Sequence, residues 1–273
     1  MTATLPERLA TSVWRRFADG LRTVGETIAL GAGACAYAVT DIVTGRFDWA
    51  QAADQAWFMA RVSLLPTILV AIPFGVVTSI QVGAVANSIG ASSFSGAVNG
   101  VGVLRQAAPL VTSLIIACVV GSAICSDLGM RAIRDEIAAL EVMGTNPVQR
   151  MVAPRIVAAI FLSVMLTAIV AVAAIATGYV MNVGRGVVGS GTYLDAFTSF
   201  SQSADLWLAE GKAVLFGLIG TTVAAHKGLG ATGGPRGVAD AVNQTVVVNV
   251  IVLAVVNAVV TQGYLVLAPG GAV

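Results

Sequence analysis

Charged side chains are scarce in this chain of 273 residues, where aspartate, glutamate, lysine and arginine together make up only 11%. Hydrophobic residues make up 57%, and the mean hydropathy is +0.87. Soluble globular domains carry about 25% charged residues, so this composition excludes an ordinary soluble domain. It predicts an all-α polytopic membrane protein, because a helix satisfies its own backbone hydrogen bonds within lipid.

Histidine and cysteine are also rare. His226 is the only histidine, and the three cysteines form no CxxC pair. Metal sites and covalent catalysis need clusters of such residues, so we expect no enzyme activity, no metal and no cofactor in this chain. A GxxxxGK[ST] loop for ATP is missing too. Gly228, Gly230 and Gly233 match GxGxxG, but no strand is predicted before them, and we interpret them as a loop.

Long runs without any charged residue indicate the membrane spans. A helix needs about 20 mostly apolar residues to cross the hydrocarbon layer. The uncharged runs are 62–104, 106–126, 156–184, 213–226 and 241–273. The fourth is short and can lengthen only toward Trp207, which leaves Glu210 and Lys212 near the membrane edge. We therefore predict about five spans.

The N-terminal part has a different pattern. Apolar residues from Leu5 to Val24 recur every three or four positions, and arginines fall largely on the other face. This predicts a basic amphipathic helix, which lies either in the headgroup layer or against the protein itself. Residues 25–45 form a short apolar run that we interpret as a partly inserted elbow. We divide the chain into 1–61, the interfacial and elbow helices, and 62–273, the transmembrane domain.

The distribution of basic residues predicts the orientation. With a cytoplasmic N-terminus and five spans, twelve of the 15 lysines and arginines fall on the cytoplasmic side, as the positive-inside rule requires. The prediction is a multi-pass protein of the plasma (inner) membrane with its C-terminus outside. The basic residues form no tract that could neutralise phosphates, so no nucleic acid partner is expected.

The densest charged segment lies at 127–155, where eight of the 29 charged residues occur. Ser126 or Asp127 can cap a helix start, Gly144 suits a left-handed C-terminal position, and Pro147 stops continuation. These signals predict one cytoplasmic helix. Its apolar stripe consists of Ile133, Ile137 and Leu140. Such a helix is either a handle for a soluble partner or merely a solvated loop helix.

Two stretches then carry a family resemblance. One reads Asp127-Leu-Gly-Met-Arg-Ala-Ile-Arg-Asp-Glu-Ile-Ala-Ala-Leu-Glu-Val-Met-Gly-Thr-Asn-Pro, and the other reads Gly233-Gly-Pro-Arg-Gly-Val-Ala-Asp-Ala-Val-Asn-Gln-Thr-Val-Val. The first resembles the signature of the MlaE/YrbE permease family, the membrane subunits of ABC systems that move lipids. The second resembles that family's second cytoplasmic loop and final span. With further matches, the resemblance covers roughly residues 60 to 265.

The resemblance implies a coupling helix at about 127–146 that contacts a separate cytoplasmic ATPase. ATP and Mg would then be bound by that partner. The residues implied in coupling are Arg131, Arg134, Glu136, Glu141, Gly144, Asn146 and Pro147. The implied partners are a second YrbE-type permease chain, two cytoplasmic ABC ATPase subunits, periplasmic or extracellular Mce (MCE-domain) lipid-binding proteins, and a lipid substrate.

One position departs from the family pattern. Many members read Arg-Glu-Leu-Gly-Pro at the start of the second span, whereas this chain reads Arg105-Gln-Ala-Ala-Pro109. The missing carboxylate puts a charge pair there in doubt. It suggests the Mce-associated YrbE branch, in which two different permease chains pair and one supplies what the other lacks.

Polar residues within the spans are the candidates for a substrate path. They are Gln81, Gln106, Asn249 and Asn257. Polar groups inside a membrane normally face protein or a cavity, so the asparagines either line such a path or bond between helices. The spans otherwise contain almost no acids or bases, which suits a hydrophobic cargo. An ATP-independent secondary carrier is the alternative, and it is disfavoured because such carriers place ionisable residues within the membrane.

Overall fold

The computed structural model describes the backbone of residues 5–267 and the side chains of residues 20, 22–264 and 266. Within that range the chain is helical and forms no strand, which confirms the all-α prediction. Ten α-helices are described: α1 (Leu5–Val43), α2 (Trp49–Ser88), α3 (Ser95–Gly102), α4 (Ala108–Ile115), α5 (Gly121–Ile133), α6 (Glu136–Val142), α7 (Ala153–Gly184), α8 (Ser190–Phe200), α9 (Ser203–Leu229) and α10 (Gly234–Leu267). Short 3₁₀ and π-helical turns link several of them.

Six helical stretches among the described residues are long and apolar enough to cross a membrane. Five of them run between the two ends of the bundle, namely α2, the stretch Ser92–Ile133 that includes α3 to α5, α7, α9 and α10. We call the end with α6 and the start of α7 the charged end, and the end with α8 the opposite end. The prediction of about five spans is confirmed.

The sixth stretch, Arg22–Val43 within α1, lies across the charged end. Glu26 lines a cavity together with His226 at the end of α9. Farther along α1, Asp41 accepts hydrogen bonds from Gln149, which lies just before α7. Both contacts are at the charged end, so the predicted elbow describes α1 better than a crossing does. The predicted basic face at Arg8, Arg15 and Arg16 lies outside the described side chains, as do residues 268–273 at the C-terminus.

Helix α2 corrects the predicted division of the chain. It runs without interruption from Trp49 to Ser88 and passes through Pro66 and Pro73. The boundary at 61/62 therefore falls inside one helix and separates no structural units. A stripe of small buried residues faces α7, and its members include Ser63, Thr67, Ala71, Gly75 and Ser79. These residues let the two helices approach closely, as is typical of membrane helix pairs.

Close packing at Gly217 holds α9 against α7. A Cβ at this position would lie 2.7 Å from the Ala159 carbonyl oxygen and 2.6 Å from Ser163 Oγ. We expect Gly217→Val to separate the helices and lower stability by about 1–3 kcal/mol, measured as a lower unfolding temperature in detergent. Gly211→Val is the matched control, because Gly211 is in the same helix with nothing within 4 Å. Equal stability of the two variants would contradict this packing.

Helices α3 and α8 pack together at the opposite end. Asn99 Nδ2 donates to the hydroxyl of Tyr193 at 2.8 Å, and both side chains are buried. Burial raises the pKa of Tyr193, although the bond from Asn99 acts in the other direction. The phenol therefore stays neutral around pH 7 and can serve as a fixed anchor for the connection between α7 and α9.

Candidate functional site

The charged segment does not form the single helix that the sequence predicted over 127–146. Helix α5 begins at Gly121 and passes through Asp127 without a cap, so the predicted start is wrong. The helix ends at Ile133, and Asp135 takes a left-handed conformation with φ of 57° before α6 begins. Aspartate tolerates this region better than most residues. The result is a spanning helix followed by a short, separate helix of seven residues.

The end of α6 follows the prediction in part. Gly144 has φ of 75°, and its N–H donates to the Glu141 carbonyl oxygen at 2.9 Å, which confirms the predicted left-handed position. Pro147 does not stop a helix as predicted. It begins the helical segment that becomes α7, because proline fits the first turn. The side chain of Asn146 accepts a hydrogen bond from the N–H of Val148 at 2.9 Å and so caps that segment.

A chain of ion pairs joins α6 to the start of α7. Arg131 Nη1 lies 3.6 Å from Glu136 Oε2, and Arg131 Nε lies 3.3 Å from Asp127 Oδ2. The same Asp127 oxygen accepts a hydrogen bond from Arg155 Nη2. Arg155 is only 2% exposed and also donates to the Met151 carbonyl oxygen at 2.6 Å. A buried arginine is stable only when its charge is matched in this way.

Sequence reasoning did not assign Asp127 and Arg155 to the site. One signal pointed to the arginine, since it stands directly before the long uncharged run 156–184. An arginine at the edge of a span needs a partner or water. The partner could not be inferred, because Asp127 lies 28 positions earlier on another helix.

The two faces of α6 differ in exposure. Ile137 and Leu140 of α6 pack against the buried core, as does Ile133 at the end of α5. The predicted residues therefore do dock, but they lie on two helices and not on the one stripe that was predicted. Arg134 and Glu141 are exposed. Val142 is 89% exposed and Met143 is 69% exposed. The charged side chains of Arg134 and Glu141 and the exposed apolar side chains of Val142 and Met143 thus form one surface at the charged end. A protein partner could cover this surface.

The elbow α1 is hydrogen-bonded to the segment that follows α6. Asn146 Nδ2 donates to the Tyr37 hydroxyl at 3.1 Å, and Gln149 Nε2 donates to both carboxylate oxygens of Asp41 at 2.9 Å. Gln51 of α2 donates to the Arg150 carbonyl oxygen at 3.1 Å. The elbow and α2 are therefore both tied to the turn between α6 and α7.

Asp41→Ala is expected to loosen the elbow. A hydrogen bond to a charged group contributes about 1.5–3 kcal/mol, so amide exchange across residues 30–43 should accelerate by about tenfold or more. Hydrogen–deuterium exchange of the protein in detergent measures this. Asp54→Ala is the control, because Asp54 is exposed and forms no hydrogen bond or ion pair among the described residues. Unchanged exchange in Asp41→Ala would mean that the bond to Gln149 does not hold α1.

A second group of charged residues lies at the opposite end of the bundle, and it corrects the expectation that the spans contain almost no acids or bases. Arg105 Nε is 2.6 Å from Asp205 Oδ1, and Asp205 is fully buried. Arg105 thus has a carboxylate partner on α9 of the same chain. Lys212 is also fully buried and donates to Thr261 Oγ1 at 2.7 Å. The spans therefore do contain buried acids and bases.

The predicted path residues differ in environment. Gln81 and Gln106 are exposed, whereas Asn249 and Asn257 are buried. Asn249 Nδ2 donates to the Gly220 carbonyl oxygen at 3.2 Å, which is a bond between α10 and α9. The side-chain carbonyl oxygens of both asparagines lack a partner among the described residues.

Comparison with known proteins places this architecture in a family. A family model described as Permease MlaE matches residues 52–263. A probable ABC transporter permease protein of Synechocystis is 26% identical over 216 residues, 79% of this chain and 82% of the relative. The intermembrane phospholipid transport system permease protein MlaE of Haemophilus influenzae is 28% identical over 186 residues, 68% of this chain and 71% of the relative.

A chloroplast protein is also similar to this chain. TRIGALACTOSYLDIACYLGLYCEROL 1 of Arabidopsis thaliana is 23% identical over 213 residues, 78% of this chain and 61% of the relative. The match to the family model includes all five spans, α6 and both charged groups. This chain is therefore a multi-pass membrane protein that belongs to the MlaE permease family and is a transport subunit rather than an enzyme.

Proposed function

We propose that this chain is the permease subunit of an ABC transporter that moves a lipid or another hydrophobic molecule, driven by separate cytoplasmic ATPases. One observation carries the proposal. The exposed helix α6 is connected through Arg131 and Asp127 to Arg155, which is buried at the base of α7. A load on α6 would thus reach two spanning helices, α5 and α7.

The roles of the coupling residues follow from their positions. Glu136 and Arg131 connect α6 to α5, while Arg134 and Glu141 face outward where a partner can pair with them. Val142 and Met143 offer apolar contact. The left-handed residues Asp135 and Gly144 bound α6 on both sides. A short helix between two turns can tilt as a rigid unit and convert closure of two ATPases into movement of the spans.

The hydrogen bonds to α1 give motion of the coupling segment a second path, from the turn between α6 and α7 to the elbow. Asn146 and Gln149 link the turn between α6 and α7 to the elbow at Tyr37 and Asp41. Motion at α6 would thus pass to the elbow as well as to α5 and α7. Asn146 and Pro147, which the family resemblance implies in coupling, begin the helical segment that leads to α7, with Asn146 as its cap.

The partners and orientation belong to the same proposal. The charged end faces the cytoplasm, and the ATPases that dock there bind ATP and Mg. A second YrbE-type permease chain completes the transmembrane pathway, and Mce proteins receive or deliver lipid on the far side. The Haemophilus relative is named for phospholipid transport, and we extend that cargo class to this chain.

An ATP-independent secondary carrier gains support from one observation. Asp205 and Lys212 are fully buried within α9, and buried ionisable groups are typical of proton-coupled carriers. Asp205 is nevertheless paired with Arg105 at 2.6 Å, and the Lys212 ammonium donates to Thr261 and to the Arg105 carbonyl oxygen. Groups held in this way are better suited to a fixed structural charge cluster than to repeated proton release.

Affinity purification of the tagged chain in mild detergent tests the proposal. We expect mass spectrometry of the intact complex to find an ABC ATPase, a second and different permease chain, and bound lipid. A complex without any ATPase would overturn the proposal. Two copies of this same chain would leave the permease function intact and overturn the pairing with a different chain.

A further inference from the structure

A cavity of about 310 Å³ lies between α2 and α7 at the opposite end of the bundle. Its polar lining comes from Ser79, Asn87, Asn182 and Arg185, and Gly83 leaves space beside them. Asn87 and Arg185 are exposed, so the cavity opens to the surroundings of the helix pair. None of these residues takes part in the coupling site.

Asn182 presents an unused acceptor to this cavity. The side chain is only 3% exposed, and its Nδ2 donates to the Gly178 carbonyl oxygen at 2.9 Å and to Ser79 Oγ at 2.6 Å. A backbone carbonyl can only accept, so the nitrogen must face Gly178 and the oxygen must point away from it. No described group donates to Asn182 Oδ1. A Cβ at Gly83 would lie 3.1 Å from that oxygen.

Arg185 supplies a permanent positive charge at the rim. It follows the last residue of α7, and no acid within the described residues forms an ion pair with it. Arginine at a membrane boundary binds phosphate through its planar fork of donors. The cavity thus combines a cation for a phosphate with an acceptor that needs a donor.

We propose that this cavity binds the headgroup of a bilayer phospholipid that carries a hydrogen-bond donor beyond its phosphate, such as the hydroxyls of phosphatidylglycerol or the ammonium of phosphatidylethanolamine. The phosphate pairs with Arg185, and the donor bonds to Asn182 Oδ1. Phosphatidylcholine offers no donor and is discriminated against, because it leaves that acceptor unpaired. The inference rests on the cavity alone and not on the transport function.

The test uses the full chain with its copurifying partners in nanodiscs of equal parts phosphatidylglycerol and phosphatidylcholine. Native mass spectrometry after transfer to detergent counts the retained lipids. We expect preferential retention of phosphatidylglycerol, reduced about tenfold in Arg185→Gln, which corresponds to the loss of one charge-assisted contact. Gly83→Leu, which fills the cavity, should have the same effect.

Two controls separate this site from general effects. Arg61→Gln removes an exposed arginine from the other end of α2, and Gly211→Leu adds the same side chain where nothing lies within 4 Å. Both should retain lipid as the unmodified chain does. Equal retention in Arg185→Gln, equal retention of the two lipids, or an equal loss in Arg61→Gln would each overturn the proposal.

A further arm distinguishes a membrane lipid from a soluble phosphate ester. Glycerol 1-phosphate is added to the complex in a neutral detergent without phospholipid, and binding is measured by calorimetry. We expect glycerol phosphate not to bind at Arg185, because the acyl chains contribute most of the affinity for a lipid. The calorimetric signal should therefore be the same for the unmodified chain and for Arg185→Gln. Binding of glycerol phosphate without selective retention of phosphatidylglycerol would overturn the assignment to a lipid.

Discussion

Glu136→Lys is expected to lower ATP-driven lipid transport by about tenfold or more, which corresponds to at least about 1.4 kcal/mol of lost coupling. Glu136 is the first residue of α6, and its carboxylate lies 3.6 Å from Arg131 Nη1. A lysine there would repel Arg131 and oppose the helix dipole. Transfer of a fluorescent lipid in proteoliposomes, normalised to ATP hydrolysis, measures the effect.

The matched control is Asp54→Lys, which makes the same charge reversal on an exposed carboxylate of α2 near the charged end. It should transport normally. The amount of ATPase that copurifies with each variant must be determined, so that weaker assembly is separated from weaker coupling. Normal transport by a well-assembled Glu136→Lys complex would contradict the role of α6.

Asp127→Ala should be among the most destabilising substitutions in the chain. It would leave the guanidinium of Arg155, which is 2% exposed, without its carboxylate. Removal of one partner from a fully buried pair lowers stability by about 3–5 kcal/mol, and we expect the lower end of that range here because Asp127 is 33% exposed. Thermal unfolding in detergent measures the loss. The contact of Asp127 with Arg131 adds little, since both of those side chains are at least one third exposed.

A double-mutant cycle tests whether the pair itself is responsible. Arg155→Met removes the buried charge, so adding Asp127→Ala to that variant should have a much smaller effect than Asp127→Ala alone. We expect a coupling energy of at least about 1 kcal/mol. Strictly additive effects would mean that Asp127 acts through other contacts. In that case the ion-pair route from α6 to α7 would lose its central step.

Local signals in the sequence were sufficient for the spans and for part of the charged segment. Uncharged runs located five crossings because charged side chains are rare within spans and do not face lipid. Gly144 was identified because glycine adopts the left-handed conformation easily. Helical spacing identified Ile133, Ile137 and Leu140 as core-facing residues, although Ile133 lies on α5 and the other two lie on α6.

Contacts between distant residues could not be predicted. The break at Asp135 was missed because aspartate is only moderately favourable in the left-handed region and Gly144 offered a stronger end signal nearby. Asp205 pairs with Arg105 from a position 100 residues later. Burial of Lys212 likewise depends on α10, whose Thr261 accepts its hydrogen bond. Such pairings exist only after the helices pack.

The proposed coupling segment depends both on residues that are close in sequence and on contacts with residues that are far from it in sequence. The coupling segment is contiguous in sequence, and its residues could be named from the family resemblance. Its connections to Arg155 and to the elbow are tertiary, and the proposed transmission of motion from α6 depends on them. The elbow bonds at Tyr37 and Asp41 had no recognisable signal in the sequence.

The energy source of transport is the most direct test of the central claim. The complex is reconstituted in proteoliposomes, and lipid transfer is measured with ATP depleted and, separately, with the proton gradient collapsed by an ionophore. We predict that transfer stops without ATP and continues without the gradient. Transfer that stops when the gradient collapses but continues without ATP would contradict the account and identify a secondary carrier.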